Sequence, residues 1–483
     1  MNRHATTLLA SSLLLGCEAY GFQTFAELEP PCPAVRLQPD GGCCPAWASW
    51  EEDRCLRRPW NVGDTPQSGA GAGTPRVTVD DGGRAIVAWS TTDGRVEIGE
   101  ETSAGALSTF SASTGLPGTG LQPDVASDET GRAMVAFRQQ DGDLGRIYVA
   151  RRGAEGGWDL PDADDVWSHD GNAYEPRVAF GPEDESIVLW NQWTGANFQV
   201  AVTRTWLAQT DPVTFVSEPV NFSNAPRIAV SRNGDGLIAW YQARDGELSV
   251  YVSERFGLEG EWSVPGAAER LSPRGTEVTS HPIANPIPVV NDRGLGAVAW
   301  TQPTLAGGNG VYVATRDGFG AWTLPTDLAD MVGDPVAVAR CVQPALSNVG
   351  QLHLVWHEEA EPAVVRAWSV GLDDDREAWP EPIALSNLDR PAVDPAIAIG
   401  AYGEVVVVYR ELVGDAWRVV ARQRHPDNDA WLSETVLSET SQGSAGAPAV
   451  AMGPDARVVV AWPAGEPGQQ RIRLAWIDPV PRP

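Results

Sequence analysis

A strand–turn–strand unit recurs eight times along the chain and constrains its fold more than any other feature. In the clearest copy, Pro226 opens an apolar strand, a polar Gly-rich turn follows, and a second apolar strand ends at Trp240. A Pro and an aromatic residue lie 14 residues apart in seven copies: Pro75/Trp89, Pro123/Phe137, Pro176/Trp190, Pro226/Trp240, Pro286/Trp300, Pro395/Tyr409 and Pro448/Trp462. The copy at Pro344/Trp356 is two residues shorter, which indicates a trimmed hairpin turn. Pro75 to Pro448 is 373 residues in seven steps, so the repeat length is about 53 residues.

The second strand of each copy is apolar on both faces, because the residues one and two before the aromatic are apolar in every copy. Neighbouring residues on a strand point to opposite faces, so this strand needs a packed layer on each side. Sheets packed face to face around an axis meet that need, and the repeat length is typical of such rings. The sequence therefore predicts an all-β fold, a β-propeller of eight four-stranded blades over residues 59–483. A row of β-sandwich domains is the alternative, but its units would be nearer 90 to 100 residues.

The two ends of the repeat array predict how the ring closes. The last copy stops after its third strand, at Trp476. A fourth-strand pattern, Pro59-Trp60-Asn-Val62, lies ahead of the first copy instead. The N-terminal strand near Trp60 is thus expected to complete the last blade, which would remove two open sheet edges. This arrangement resembles the strand-sharing closure of β-propellers such as the WD-repeat proteins, although the sequence has no GH dipeptide and its single WD dipeptide, Trp158-Asp159, is not repeated.

The first seventeen residues indicate export. A basic start and an apolar run too short to span a bilayer end at Leu14-Leu15-Gly16-Cys17, which resembles the bacterial lipoprotein box. The resemblance implies a signal peptide over 1–16, an acylated Cys17, a flexible tether over 17–31 and anchoring in the cell envelope. Glu18 is not the Asp associated with inner-membrane retention, so the outer membrane is favoured. The alternative is a plain secretory signal with an incidental Cys.

Four cysteines fall within a short segment after the tether. In an oxidising compartment Cys32, Cys43, Cys44 and Cys55 predict a small disulfide-bonded module over 32–58, with three possible connectivities. A zinc site would need Cys-x-x-Cys pairs and a reducing compartment. Cys341 is left over, and we expect it to be a buried free thiol.

The charge balance excludes some partners. The chain carries 35 basic and 64 acidic residues, a net charge of −29, and every basic residue other than His is Arg. So large an acidic excess argues against binding to nucleic acid through general electrostatics. Acidic turns such as Asp162-Ala-Asp-Asp165 could suit Ca²⁺, but no Asp-x-Asp-x-Asp-Gly loop supports it. No cofactor is therefore expected.

Three arginines share one position of the repeat. Arg76, Arg177 and Arg227 each follow the Pro that opens a first strand, the strand nearest the axis of a propeller. Such guanidinium forks suit a carboxylate or a sulfated sugar, although charges paired with nearby acids such as Asp124 are the plainer interpretation. Three arginines on a propeller also resemble sialidases. Those proteins are six-bladed, however, and neither their Ser-x-Asp-x-Gly-x-x-Trp boxes nor a Tyr/Glu nucleophile pair is indicated here.

Other side chains are weaker candidates for function. His353 stands where the other copies carry an apolar residue, and His357 lies on the same strand face, but residues four apart on a strand are too distant to share one metal ion. Most of the 20 Trp fall at repeat positions and are expected in the blade cores. Four that lie off these positions or on strand faces without a clear orientation could be exposed for sugar stacking: Trp193, Trp206, Trp368 and Trp417.

With no catalytic constellation visible, the sequence favours a non-enzymatic envelope lipoprotein, lipid-anchored through Cys17, whose propeller binds another protein or a surface glycan. The alternatives are a carbohydrate-binding propeller that uses Arg76, Arg177 and Arg227, and a propeller hydrolase or lyase. Fold alone cannot choose among these functions.

Overall fold

The structure is a computed structural model that describes residues 48–51, 54–57, 59–63, 71–80, 82–103, 105–169, 171–206, 209–219, 222–244, 247–266, 268–273, 286–372, 380–400, 403–424, 430–453 and 456–478. Its described part is built from antiparallel strands and one 3₁₀ helix, Thr440–Gln442. Among these residues no helix is long and apolar enough to span a bilayer. The signal peptide, the tether and Cys17, Cys32, Cys43 and Cys44 lie outside the described residues.

A small hairpin precedes the ring. Strands β1 (Ala48–Glu51) and β2 (Arg54–Arg57) pair antiparallel. Cys55 is in β2, and its side chain is outside the described part, so the disulfide pairing stays a prediction.

Eight antiparallel blades follow, as predicted. In blade one the strands are β4 (Arg76–Val79), β5 (Ala85–Ser90), β6 (Val96–Ser103) and β7 (Ala106–Ser111). Blade two contains β8 (Thr119–Ser127), β9 (Ala133–Asp141), β10 (Leu144–Arg152) and β11 (Trp158–Asp159). Blade three contains β12 (Ala173–Phe180), β13 (Ser186–Trp193), β14 (Phe198–Trp206) and the short β15 (Gln209–Thr210) and β16 (Thr214–Phe215), which both pair with β14.

Blade four has three regular strands, β17 (Phe222–Val230), β18 (Gly236–Arg244) and β19 (Glu247–Arg255). The segment around Trp262 takes the fourth position, where the amide of Ser263 donates to the carbonyl of Glu254 at 2.9 Å. Blade five contains β20 (Ile287–Val290), β21 (Gly296–Pro303), β22 (Asn309–Arg316) and β23 (Trp322–Thr323). Blade six contains β24 (Ala339–Leu346), β25 (Gln351–Glu358), β26 (Val364–Gly371) and β27 (Ile383–Ala384).

The last two blades complete the ring. Blade seven contains β28 (Ala392–Ile399), β29 (Val405–Val413), β30 (Ala416–Arg424) and β31 (Thr435–Val436). Blade eight contains β32 (Ala449–Met452), β33 (Val458–Ala464) and β34 (Arg471–Ile477), and its fourth strand is β3 (Asn61–Val62) from the other end of the chain. The first strands of neighbouring blades contact one another all the way round, including β32 with β4.

The closure prediction is confirmed in detail. Asn61 pairs with Trp476 and Val62 with Ala475. The amide of Gly63 donates to the carbonyl of Leu474 at 2.9 Å, and the side-chain amide of Asn61 donates to Asp478 at 2.9 Å. The N-terminal strand therefore covers the sheet edge that β34 would otherwise present to solvent.

The repeated aromatics form the blade cores. The second strands continue beyond the Trp at which the sequence predicted them to end, as β18 does from Trp240 to Arg244. Six of these residues are at most 1 % exposed: Trp89, Trp190, Trp240, Trp300, Trp356 and Trp462. Each packs among residues of two neighbouring blades, for example Trp300 with Leu237 and Val252 of blade four. Burial of both strand faces explains why the second strands are continuously apolar.

Candidate functional site

A β-bulge recurs at one level of the first strands. In five blades the register with the second strand shifts across two residues, and the first of the pair has a left-handed backbone with φ between 52° and 55°. These residues are Gln122, Glu175, Ala225, Cys341 and Asp394. None is Gly, although a side chain in this region of φ and ψ costs on the order of 1 kcal/mol or more. Bulges kept at such a cost are typical of places where a fold aims particular side chains.

The position of the bulge shows which residue of blade six is equivalent to the Pro that opens the first strand in other blades. Arg177 pairs with Leu189, the residue before Trp190, and in blade six the matching pair is Gln343 with Val355. Val342 therefore stands where other blades carry the Pro, and it lies 14 residues before Trp356. The prediction of a hairpin shortened by two residues at Pro344 is wrong, because Pro344 lies two residues beyond the equivalent position.

The structure places the three predicted arginines at one level of the first strands of blades one, three and four. Arg76, Arg177 and Arg227 face Ala88, Leu189 and Ala239 across their own hairpins, so they are equivalent in the ring. Asp124 holds the same position in blade two, between Arg76 and Arg177. We call these four residues, with Glu175 and Tyr241, the arginine cluster.

Both carboxylate oxygens of Asp124 interact with neighbouring residues. One of its carboxylate oxygens lies 3.9 Å from Nε of Arg76, and the other accepts from the backbone amide of Val178 at 3.1 Å. Arg177 and Arg227 instead donate from Nη1 to the carbonyl of their own preceding Pro, at 2.6 and 2.9 Å. Within the described residues neither guanidinium forms an ion pair. The expectation that acids such as Asp124 neutralise all three arginines is therefore met only at Arg76.

Burial and like charge act together on the unpaired arginines. Burial is the main cause that lowers the pKa of Arg227 to about 9, and the positive charge of Arg177 lowers it further. Burial also lowers the pKa of Arg177, with Asp124 opposing that effect and Arg76 adding to it. A site that holds two half-buried cations side by side is prepared for a ligand anion.

Glu175 and Tyr241 are residues of this site that sequence reasoning missed. Oε2 of Glu175 is buried and, in the described part of the chain, has no hydrogen-bond partner. The hydroxyl of Tyr241 accepts from Nδ2 of Asn224 at 3.1 Å. Burial is the main cause that raises the pKa of Tyr241, and the charge of Glu175 raises it further. A carboxylate and a phenol from neighbouring blades thus lie close enough to influence each other.

An aromatic surface borders the cluster on blades three and four. The half-buried ring of Phe198 lies 5.1 Å from Trp193, 5.5 Å from Tyr174 and 6.3 Å from Phe222, measured between ring centroids. The guanidinium of Arg138 stacks 4.2 Å above the ring of Tyr174. Tyr174 directly precedes Glu175 in the chain, so this surface continues from the arginine cluster. Trp193, one of the four Trp predicted to be off the repeat positions, belongs to it.

The two predicted histidines and Trp368 are buried. His353 is 2 % exposed, neither of its ring nitrogens has a hydrogen-bond partner in the described residues, and burial lowers its pKa to about 3. His357 is also buried, and the described residues contain no group of three or more His, Cys, Asp or Glu that could hold a metal. Trp368 is buried and donates to the carbonyl of Pro380 at 3.0 Å.

The last three residues singled out in the sequence, Trp206, Trp417 and Cys341, are half-buried. Trp206 and Trp417 are half-buried beneath Arg204 and Arg410, at 5.4 and 4.9 Å. Cys341 is a half-buried free thiol, and burial raises its pKa to about 11. A thiol with so high a pKa is a poor nucleophile at neutral pH.

Searches for relatives by sequence find no matching family model and no matching curated protein. Solved structures do resemble the fold. An ulvan lyase, a polysaccharide lyase of a new family, is 12 % identical and covers 71 % of this chain and 89 % of its own, with a TM-score of 0.44. A protein of unknown function from Dyadobacter fermentans is 14 % identical over 64 % of this chain and 95 % of its own, with a TM-score of 0.40. An α-L-arabinanase from Penicillium chrysogenum is 16 % identical over 64 % and 97 %, with a TM-score of 0.37.

The comparison corrects the functional prediction. The propeller fold is shown by the eight blades themselves, and the activities in those names belong to those proteins. Even so, the similar structures are mainly carbohydrate-processing enzymes, including glycoside hydrolases and sialidases. This finding contradicts the prediction of a non-enzymatic protein-interaction module.

Proposed function

We propose that this chain is a carbohydrate-active enzyme that binds an acidic saccharide at the arginine cluster and cleaves a glycosidic bond beside it. The observation that carries the proposal is the juxtaposition of Arg177 and Arg227, which form no ion pair within the described residues, with Glu175, whose buried Oε2 has no hydrogen-bond partner there. The charge of Glu175 offsets part of the cost of burying both guanidinium groups, yet Glu175 forms no ion pair with either of them among the described residues. This arrangement fits a site that holds a charged group and moves a proton near it.

The arginines select for an anionic ligand. A carboxylate or sulfate placed between Arg177 and Arg227 would accept charge-assisted hydrogen bonds from both, each worth about 1.5 to 3 kcal/mol. It would also relieve the repulsion that lowers the pKa of Arg227. The chain as a whole carries a net charge of −29, so this local positive site is directed at a specific ligand and does not reflect general surface attraction.

The aromatic surface favours a sugar over another acid. Trp193, Tyr174 and Phe222 surround Phe198 and remain half-buried beside the cluster. Exposed parts of aromatic rings can stack against the C–H face of a pyranose, while the arginines hold its charged substituent. A chain of sugars could extend from the cluster across blades three and four.

Glu175 and Tyr241 supply groups for proton transfer. The free carboxylate oxygen of Glu175 can accept a proton, and Tyr241, whose pKa is raised, remains protonated near neutral pH and can donate one. Cleavage by hydrolysis adds water across the glycosidic bond. Cleavage by elimination transfers the proton on the carbon next to the sugar carboxylate to Glu175, breaks the C–O bond on the adjacent carbon and passes the proton of Tyr241 to the leaving oxygen, so that a C=C double bond forms and no water is added.

The experiment incubates the protein with polygalacturonate, alginate and chondroitin sulfate, with amylose as the neutral control. We expect an acidic polymer to be shortened, and the product mass distinguishes added water from a double bond. Glu175→Gln should retain binding and lose turnover by about 10²- to 10⁴-fold. Arg177→Ala with Arg227→Ala should lose binding, and Arg232→Ala, which removes an exposed surface arginine, should change neither.

Two outcomes would contradict the proposal. Failure to bind any acidic polymer would exclude the arginine cluster as the saccharide site. Binding without cleavage, unchanged in Glu175→Gln, would reduce the function to carbohydrate binding and exclude the catalytic role.

We also propose that the enzyme is held at the cell envelope, in the outer membrane, through acylated Cys17, with Cys32, Cys43, Cys44 and Cys55 forming two disulfides. The sequence at Leu14 to Cys17 supports the anchor. Mass spectrometry of the mature protein should find a lipid-modified N-terminal Cys17, and Cys17→Ser should release the protein from the membrane fraction. An unmodified chain that begins elsewhere would exclude the anchor.

A further inference from the structure

Two neighbouring phenylalanine side chains are exposed on one face of the ring. Phe319 is 97 % exposed and Phe256 is 56 % exposed. Each lies in the turn that follows the third strand of its blade, Phe256 in blade four and Phe319 in blade five. A Cβ atom added at Gly320 would lie 2.9 Å from the ring of Phe256, so the two turns adjoin. We call Phe256 and Phe319 the phenylalanine pair.

Both members of the pair are held in place by the protein. Oδ1 of Asp317 accepts from the backbone amides of Phe319 at 2.9 Å and of Ala321 at 2.8 Å, which fixes the turn that carries Phe319. The guanidinium of Arg316, which is 2 % exposed, packs 4.6 Å from the ring centre of Phe256. Because these turns are already ordered, burying the two rings against a partner would cost little additional backbone entropy.

The strand register shows on which face of the ring the phenylalanine pair lies. Arg255 directly precedes Phe256 and pairs with Gly236, the first residue of β18. Blade five repeats this register at Arg316 and Gly296. The pair therefore lies on the face that carries the turns between the first and second strands.

The N-terminal part of the chain joins the ring from this same face. Ile477, the last residue of β34, pairs with Val458, the first residue of β33, so β34 ends at the face of the phenylalanine pair. Asn61 pairs with Trp476 in antiparallel register, and the chain ahead of Asn61 therefore leaves the ring on this face. Blade eight lies opposite blade four in a ring of eight. The chain that leads to Cys17 and the phenylalanine pair are thus on opposite sides of one face.

The other face carries the aromatic surface. Trp193 and Phe198 pair across the turn between the second and third strands of blade three. Leu305 lies in the corresponding turn of blade five and is 84 % exposed. A ring that rests on the face of the phenylalanine pair would therefore present the aromatic surface on its free side.

We propose that the face of the phenylalanine pair rests on a zwitterionic phospholipid bilayer, with the rings of Phe319 and Phe256 inserted at the headgroup level. The proposal rests on the envelope anchor at Cys17. Aromatic rings that enter the boundary between headgroups and acyl chains are a known mode of peripheral membrane binding. The anchor raises the local concentration of the face at the bilayer, and a second contact across the ring holds the ring flat. The net charge of −29 disfavours an anionic bilayer.

Lipid crosslinking tests the orientation of the whole protein. The full-length acylated chain is reconstituted in phosphatidylcholine vesicles that contain a phospholipid with a diazirine near the headgroup end of its acyl chain. After illumination, mass spectrometry of the digested protein locates the lipid adducts. We expect adducts at Phe319 and Phe256 and none at Leu305, the exposed apolar side chain of the opposite face.

Vesicle flotation of the full-length Cys17→Ser chain measures the face without the acyl chains. A single myristoyl chain gives half-binding at roughly 0.1 mM lipid, and we expect this weaker contact to need on the order of 1 to 10 mM phosphatidylcholine. Phe319→Ser, added to this chain, should lower the partition coefficient by about threefold to tenfold, since a partly inserted ring is lost. Leu305→Ser is the matched control and should leave the coefficient unchanged. Phosphatidylglycerol at one third of the lipid should weaken binding at low salt.

The two measurements distinguish the surface from the anchor. Binding of the Cys17→Ser chain that depends on Phe319 supports the surface even if mass spectrometry finds Cys17 unmodified. The proposal is wrong if the Cys17→Ser chain does not bind phosphatidylcholine, if Leu305→Ser weakens binding as much as Phe319→Ser, or if the adducts form at Leu305. Phe319 is almost fully exposed, so its replacement tests the surface without disturbing the fold.

Discussion

Replacement of Arg227 by Gln tests whether the arginine cluster is built for a ligand or for stability. From its ordinary value of 12.5, burial and the charge of Arg177 lower the pKa of Arg227 to about 9. At about 1.4 kcal/mol for each pKa unit, keeping this guanidinium charged costs the folded protein about 5 kcal/mol at most. The variant loses the bond from Nη1 to the carbonyl of Pro226, worth about 1 kcal/mol, and part of the side-chain packing. Because Arg227 is only half-buried and solvent screens part of the repulsion, we expect a net gain in stability of about 1 to 3 kcal/mol.

The assay is urea unfolding at neutral pH and low salt, followed by Trp fluorescence. The matched control is Arg255→Gln, an arginine of the same ring with a fully buried partner, Glu185. Breaking that pair should lower the free energy of unfolding by about 3 to 5 kcal/mol. The two substitutions should therefore act with opposite sign. Added sulfate should stabilise the wild type more than Arg227→Gln, because an anion that binds only the folded state raises its stability.

One result refutes this reasoning directly. If Arg227→Gln lowers the free energy of unfolding as Arg255→Gln does, Arg227 is a structural residue whose partners outweigh its burial. A binding site that lowers the stability of the folded protein would then have to be sought at other residues.

Three further predictions follow from the fold and the site. His353→Leu should make the protein less sensitive to acid. The pKa of His353 is about 3 in the folded state and 6.5 in the unfolded state, so the unfolded state takes up the proton first, and the free energy of unfolding of the wild type should fall by about 1.4 kcal/mol for each pH unit below about 6.5. Equal acid unfolding of both proteins would contradict this. Val62→Pro should break the pairing of Val62 with Ala475 and lower the midpoint of thermal unfolding. Thr74→Pro, at an exposed position, is the control. An unchanged midpoint in Val62→Pro would show that closure of the ring adds no stability. Tyr241→Phe should lower kcat by about 10²- to 10⁴-fold with little change in KM, and retained turnover would exclude it as the proton donor.

The propeller and its closure could be predicted because they depend on a pattern that every blade repeats. Burial of both faces of the second strand requires apolar residues at adjacent positions before Trp89 or Trp240, and the sequence displays that requirement eight times. The segment at Trp60 is recognisable as a strand that lacks a hairpin of its own.

The bulge could not be predicted from that pattern. Its left-handed residue carries no glycine signal, because Glu175 and Asp394 are held there by the packed sheets on either side. In the sequence the bulge is marked only by the Pro that follows its left-handed residue. In blade six Val342 replaces that Pro, so the repeat was aligned on Pro344 instead. Alignment on the aromatic alone would have placed Gln343 correctly.

The functional residues beside the arginines were missed for a related reason. Glu175 and Tyr241 are separated in sequence and belong to different blades, so neither spacing nor motif connects them. They come together because β12, which carries Glu175, packs against β17, on which Asn224 pairs with Tyr241 of β18. The predicted equivalence of Arg76, Arg177 and Arg227, in contrast, needed only the repeat itself.

The borrowed strand of blade eight has a consequence for the order of folding. Its contacts join Asn61 to Asp478, a separation of 417 residues, and closing so long a loop costs on the order of 5 kcal/mol in chain entropy. Two paired residues cannot offset that cost alone, at about 0.5 to 1.5 kcal/mol for each hydrogen bond. We therefore expect Asn61 and Val62 to dock last, after stacking of the intervening sheets has already brought the ends of the array within reach. Protection of the Gly63 amide from hydrogen exchange during refolding would then report the moment at which the circle is complete.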